Sequence, residues 1–154
     1  MITNVEYLGN KDLLRLKKVA FLASNTISSG TVLKVYYWAT DMRNRGECVV
    51  IGFCSKLEKD VLHFLLKGSQ PIILVLARRM YKTVPLILQE ALNENRLLIV
   101  SVSVSVRQSK ITALERNKYI CNIANKILFM GVTEQSSLYA LQQNSSNKQK
   151  LLTL

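Results

Sequence analysis

The chain has 154 residues, 49% of them hydrophobic, with only two prolines and six glycines; this excludes a fibrous or disordered chain and suits one globular domain with a sizeable core. Lysine and arginine outnumber aspartate and glutamate by 21 to 10, a formal net charge of +11, which points to a polyanionic partner, nucleic acid ahead of an anionic membrane surface. Three cysteines and one histidine, without close-set ligand spacing, are too few soft ligands for a zinc site and suit reduced thiols.

No metal or cofactor is therefore expected. The amino-terminal stretch has no uninterrupted apolar region of the signal-peptide kind, and no window approaches a membrane span free of charge. A cytoplasmic protein without membrane attachment is the expectation.

In chain order, residues 11–16 can form a short helical turn, and 19–23 read as an apolar strand ending in the polar run Ser24, Asn25 and Thr26. A helix is predicted over 31–45, with Val32, Val35, Tyr36 and Ala39 on one side and Gly46 closing it. Residues 48–51, CVVI, are consecutive apolar residues, as in a strand of a parallel sheet covered on both faces. A turn over 52–54 then feeds a helix from about Ser55. Ser55 and Glu58 have capping-box spacing: the hydroxyl accepts from the Glu58 backbone N–H and the carboxylate reaches back. Leu57, Val61, Leu62 and Leu65 form that helix's apolar stripe, and Gly68 ends it. A glycine turn at a helix N-terminus offers unpaired N–H groups and the positive end of the dipole, which suits phosphate.

A third strand covers 72–77 and runs into Arg78 and Arg79. Pro85 stands in the first turn of a helix over 86–93, and 97–101 is a fourth strand. Val100, Val102, Val104 and Val106 alternate with Ser101, Ser103 and Ser105, predicting a half-exposed edge able to pair with another chain. A helix over 110–125, with a second possible capping box at Thr112 and Glu115, a fifth strand over 127–132 and a short helix over 136–142 follow. Together they predict one domain over residues 1–141 and a polar, loose tail over 142–154.

This alternation with short joints predicts an α/β, three-layer Rossmann-like fold with a mostly parallel sheet of about five strands and helices on both faces. Ligands in such sheets bind outside the carboxyl ends of the strands. Those ends carry Ser24, Asn25, the turn Gly52, Phe53, Ser55 and Lys56, the pair Arg78 and Arg79, and residues 107–110. Backbone N–H groups and guanidinium forks suit phosphate, and Phe53 and Tyr81 are candidates for stacking on bases. Lys56 opposes the dipole of its helix, a small cost that a bound phosphate would offset. Cys54 and His63 read as structural rather than catalytic.

Longer motifs sharpen this picture. VAFLASN is similar to an apolar strand ending in Gly-Ser-Arg, with Ala23 and Asn25 in place of the glycine and arginine. IGFCSKLEKDVLHF is similar to a strand ending in Ser-Gly-x-Ala, then glycine, an apolar residue, aspartate and a helix; Gly52 is kept, Lys56 stands at the second glycine and Glu58 at the aspartate. ILVLARRMYKTVPLILQEAL matches a strand, turn and Tyr-Pro segment. Arg116 and Asn117 followed by KYICNIANKILFMG match an Arg-Asn-Arg-Ile-Ile-Ala helix leading into a strand. On these motifs, residues 19–141 resemble the Rossmann-like domain of the DprA/Smf family of DNA-processing proteins. The resemblance implies a non-enzymatic, commonly dimeric protein that binds single-stranded DNA in a basic pocket and hands it to a RecA-type recombinase during DNA uptake and recombination. It also places Arg116 and Asn117 among the phosphate-binding residues. A second Rossmann-like group, the cytokinin-activating nucleoside monophosphate phosphoribohydrolases, carries Pro-Gly-Gly-x-Gly-Thr-x-x-Glu at a comparable joint, of which Gly52 and Glu58 remain. That likeness implies the alternative of a nucleotide-binding enzyme using Glu58.

Overall fold

The apolar runs pair into a single sheet. The computed structural model describes residues 5–24 and 27–148. Within them the strands are β1 (Glu6–Gly9), β2 (Lys18–Ala23), β3 (Cys48–Ile51), β4 (Ile72–Leu76), β5 (Leu97–Ser101) and β6 (Lys126–Met130), in the spatial order β1-β5-β4-β3-β2-β6. All neighbouring pairs among β2 to β6 are parallel, and β1 alone is antiparallel, with Glu6 opposite Ser101. The helices are α1 (Ser29–Arg45), α2 (Lys56–Leu66), α3 (Leu86–Asn93), α4 (Lys110–Ile123) and α5 (Tyr139–Asn144), preceded by a 3-10 turn at Lys11–Arg15.

Strand periodicity sorts the side chains into two cores. Phe21, Ile51, Leu74 and Ile99 face one way and pack with Trp38 and Met42 of α1, Leu62 and Leu65 of α2 and Leu88 of α3. Leu22, Val50, Ile73 and Val100 face the other way and pack with Leu13 and with Ile120 of α4. The result is the predicted three-layer arrangement. Its apolar strands are continuous because both faces are covered; β3, β4 and β5 are buried along their whole length. Gly46 ends α1 as the sequence predicts, at φ 71° in the left-handed region that glycine tolerates best.

Four expectations are corrected. The sheet has a sixth strand, β1, whose largely exposed residues (Glu-Tyr-Leu-Gly) carry no periodic signal. The extended edge expected over 101–106 does not form: β5 stops at Ser101, and β1 covers its outer side. Ser101 ends the strand physically, because its buried Oγ bridges the carbonyl oxygens of Arg78 (2.6 Å) and Ser103 (2.9 Å) and draws the chain off the sheet. The capping box of α4 is formed by Ser109 and Thr112 rather than by Thr112 and Glu115. Beyond Gln142 the chain stays ordered through Lys148: α5 continues to Asn144, the Ile127 N–H donates to the Lys148 carbonyl (2.8 Å), and Lys148 Nζ donates to the Cys121 carbonyl (3.1 Å). Among the described residues no helix is long and apolar enough to cross a membrane.

From β2 to β5 the chain steps steadily to one side; α4 then returns it across the other face to place β6 beside β2. The carboxyl ends of β2, β3, β4 and β5 thus share one rim, as functional crevices of such sheets require.

Candidate nucleic-acid interface

The rim is built around the turn between β3 and α2. The capping box forms as predicted: Ser55 accepts from the Glu58 N–H (3.1 Å), and Glu58 Oε1 accepts from the backbone N–H groups of Ser55 (2.9 Å) and Cys54 (3.1 Å). The turn therefore already holds an anion, and that anion is its own carboxylate. Glu58 is 3% exposed, and its second oxygen lies 3.6 Å from Nη2 of Arg116, which comes up from α4 and is equally buried. Two buried charges persist only when they are paired and hydrogen-bonded. Asn117 Oδ1 supplies the remaining bonds, accepting from Arg116 Nε (3.1 Å) and Nη2 (2.9 Å).

Gly52 is explained by this pair. A Cβ at Gly52 would stand 2.5 Å from Arg116 Nη1 and 2.7 Å from Glu58 Oε2. The absent side chain makes room for the buried ion pair. Arg116 Nη1 also lies against Cys54 Sγ, whose thiol hydrogen-bonds Gln108. Burial pushes the Cys54 thiol up, although the Arg116 charge opposes it. This is a protonated structural thiol and a poor nucleophile.

Above this buried layer lies an open cleft of about 420 Å³ between the ends of β3, β4 and β5. Its walls include Phe53, Lys59, Arg78, Tyr81, Arg107 and Gln108. Two of its cations lie over aromatic rings: Arg78 over Tyr81 at 5.4 Å and Lys59 over Phe53 at 5.6 Å. On the other side of the turn is a second hollow of about 320 Å³, between the N-termini of α1 and α2. Ser24, Ile27, Tyr36, Ser55 and Lys56 line it. Tyr36 donates to Asp60 Oδ2 (2.8 Å), and this bond, ahead of burial, raises the phenol's pKa.

No protein-family model matches the sequence, and no curated protein matches it. Solved structures do. DprA from Streptococcus pneumoniae superposes with a TM-score of 0.73 over 94% of this chain at 18% identity. DprA from Helicobacter pylori, described for its mode of single-stranded DNA binding, superposes at 0.74 over 97% at 17% identity. The chain has the fold of DprA. It spans 52% of the pneumococcal chain and 73% of the Helicobacter chain. The molybdenum cofactor carrier protein of Chlamydomonas reinhardtii is also similar, with a TM-score of 0.53 and 9% identity over 86% of this chain and 71% of that one.

On this DprA-like frame the sequence-predicted residues separate into layers. Phe53 and Arg78 meet in the larger cleft, and Ser24, Ser55 and Lys56 meet in the smaller one. Gly52, Arg116 and Asn117 are buried beneath, engaged with Glu58 and with one another. Arg79 does not line the cleft; its backbone N–H donates to the Ser105 carbonyl (2.7 Å), and its buried Nε has no hydrogen-bond partner among the described residues. Asn25 lies outside the described residues. Lys59 was missed, although the helical period sets it beside Lys56 on the outward face of α2. Among the described residues no three His, Cys, Asp or Glu side chains converge as a metal site would require.

Proposed function

We propose that this protein binds nucleic acid, single-stranded DNA in particular, along the strand-end rim in the cytoplasm, and catalyses no reaction on it. The carrying observation is the pairing of cations with aromatic faces at the mouth of the larger cleft, Arg78 with Tyr81 and Lys59 with Phe53. Cations attract the phosphates and ring faces accept unstacked bases, a combination that suits a single strand better than a duplex. The formal net charge of +11 supports the same partner. DprA from Helicobacter pylori, of the same fold, binds single-stranded DNA. The phosphates are met by side chains of the rim rather than by the turn amides of Cys54 and Ser55, which Glu58 occupies. The same occupancy counts against the nucleotide-hydrolysing alternative, because both Glu58 oxygens are committed to holding the turn. A homodimer and hand-over of DNA to a RecA-type recombinase, implied by the DprA/Smf resemblance, complete the reading.

Fluorescence anisotropy of a labelled single-stranded oligonucleotide across a salt series tests it. Affinity is expected to fall steeply with salt, as counterions released by each neutralised phosphate are recaptured, and to be lost in the double variant Lys59→Ala/Arg78→Ala. Salt-independent binding, or unchanged affinity in that variant, would overturn it.

A further inference from the structure

The rim does not exhaust the molecule's basic surface. Helix α2 begins at the rim and runs away from it, and its exposed residues Lys56, Lys59 and His63, with Lys67 just past its end, fall at spacings of three, four and four. At the helical period that spacing is one stripe, and its eleven residues of rise span ~16 Å. A run of lysines on a solvated helix face is ordinarily just solvated, but this one borders a concavity. Tyr36, Lys56, Asp60, His63, Phe64 and Lys67 line a third hollow of about 370 Å³ between α1 and α2. It shares Tyr36, Lys56 and Asp60 with the hollow at Ser24 and Ser55, so the two form one groove leading from the rim down the flank. The one acidic side chain in it is already engaged, since Asp60 Oδ2 accepts from Tyr36 and lies 3.3 Å from Lys56 Nζ. At the far end Lys67 lies 5.7 Å over the ring of Phe64, repeating the cation-on-ring arrangement seen at Phe53 and Tyr81.

We propose that this groove between α1 and α2, flanked by His63 and Lys67, carries the sugar–phosphate backbone of the single strand outward from the cleft. The proposal rests on the nucleic-acid reading above and extends it from a local contact to a directed path. Lys67 and the His63 ring N–H, both exposed, supply donors to phosphate, while Phe64, packed against Tyr36 at 5.0 Å between ring centroids, forms the floor.

The test compares oligothymidylates of about 4 and about 15 nucleotides, the two ends of the range that single-strand grooves occupy, against the full chain and the variant His63→Ala/Lys67→Ala. The expected result is that the variant binds the short strand as the parent does and loses affinity for the long one. The loss is about five-fold at ~0.1 M salt for each phosphate contact removed, with a correspondingly shallower salt dependence. Lys67→Arg should restore the long-strand affinity, which a merely structural lysine would not require. Equal binding of the long strand by parent and variant would overturn the groove and leave the cleft standing. Binding of neither strand by the parent would overturn both readings, and long-strand binding lost together with short-strand binding would show that the two residues act on the cleft or the fold.

Discussion

Arg116 of α4 and Glu58 of α2 meet beneath Gly52, with Nη2 3.6 Å from Oε2 and both side chains about nineteen-twentieths buried. This contact joins the two layers of helices through the end of the sheet, since α2 covers one face and α4 the other. It also fixes the β3–α2 turn from below, leaving Phe53, Lys56 and Lys59 to face outward around it. The buried pair is the foundation of the rim, and the cations and rings of the proposed site lie above it.

Glu58→Ala should be among the most destabilising single changes at the rim. It leaves the Arg116 guanidinium buried without its carboxylate and frees the Cys54 and Ser55 N–H groups, and breaking such a pair costs ~3–5 kcal/mol. Urea unfolding of Glu58→Ala, Arg116→Met and the double variant checks this. The double variant is expected to be less destabilised than the sum of the singles, because removing both charges removes the uncompensated one. Additive losses would show that the two residues do not act as a pair.

Gly52→Ala follows from the same geometry. Its new methyl would fall 2.5 Å from one Arg116 nitrogen and 2.7 Å from its central carbon, and overpacking of this kind costs ~1–3 kcal/mol. The loss should shrink in an Arg116→Ala background, which removes the two Arg116 contacts and leaves only Glu58 Oε2 at 2.7 Å. A Gly52→Ala protein as stable as the parent by thermal unfolding would contradict the packing described.

These two positions show where sequence reading succeeds and where it stops. The strands, the Ser55–Glu58 box and Gly46 were legible because each rests on local rules of period and capping. Gly52 was legible as a special position but for a different reason: a glycine at a helix start suggests a bound phosphate, whereas here it yields space to residues distant in sequence. Arg116 carried a motif likeness and a charge, yet no local rule reveals that its guanidinium points inward at a carboxylate of another helix. β1 was invisible because Glu-Tyr-Leu-Gly, exposed on most of its length, lacks the continuous apolar run by which the equally short β3 is recognised. The cleft is intermediate: Arg78, Phe53 and Tyr81 could be placed at strand ends, while Lys59 required knowing which face of α2 turned toward them.

Stability should be flat at neutral pH and fall above about pH 9. Burial in the sheet pushes the Cys48 thiol from 9.0 up to about 12. Burial also raises Cys54, Cys121 and Tyr81. A folded-state value above the unfolded one means that the folded protein holds its proton longer. The stabilisation is thus complete below the unfolded pKa and is lost as pH rises from 9.0 toward about 12. Thermal melts over this range check the fall, and Cys48→Val should make it shallower without altering the neutral plateau. An unchanged alkaline slope in that variant would remove Cys48 from the account.

Rings and cations of the larger cleft should separate by their salt signatures. Phe53→Leu and Tyr81→Leu remove a face on which a base can stack, and such contacts are worth ~1–3 kcal/mol per base. The affinity of either variant for single-stranded DNA should therefore drop by roughly ten-fold or more while the slope of log affinity against log salt stays the same. Lys59→Ala and Arg78→Ala instead remove a phosphate contact, and the slope should become shallower by about 0.7 for each. Both rings lie under cations at 5.4 and 5.6 Å, so a partial effect of each substitution on its neighbour is expected, with the slope remaining the discriminating quantity. If the ring variants flatten the slope as much as the cation variants do, the rings only orient the charges and the bases are not stacked in the cleft.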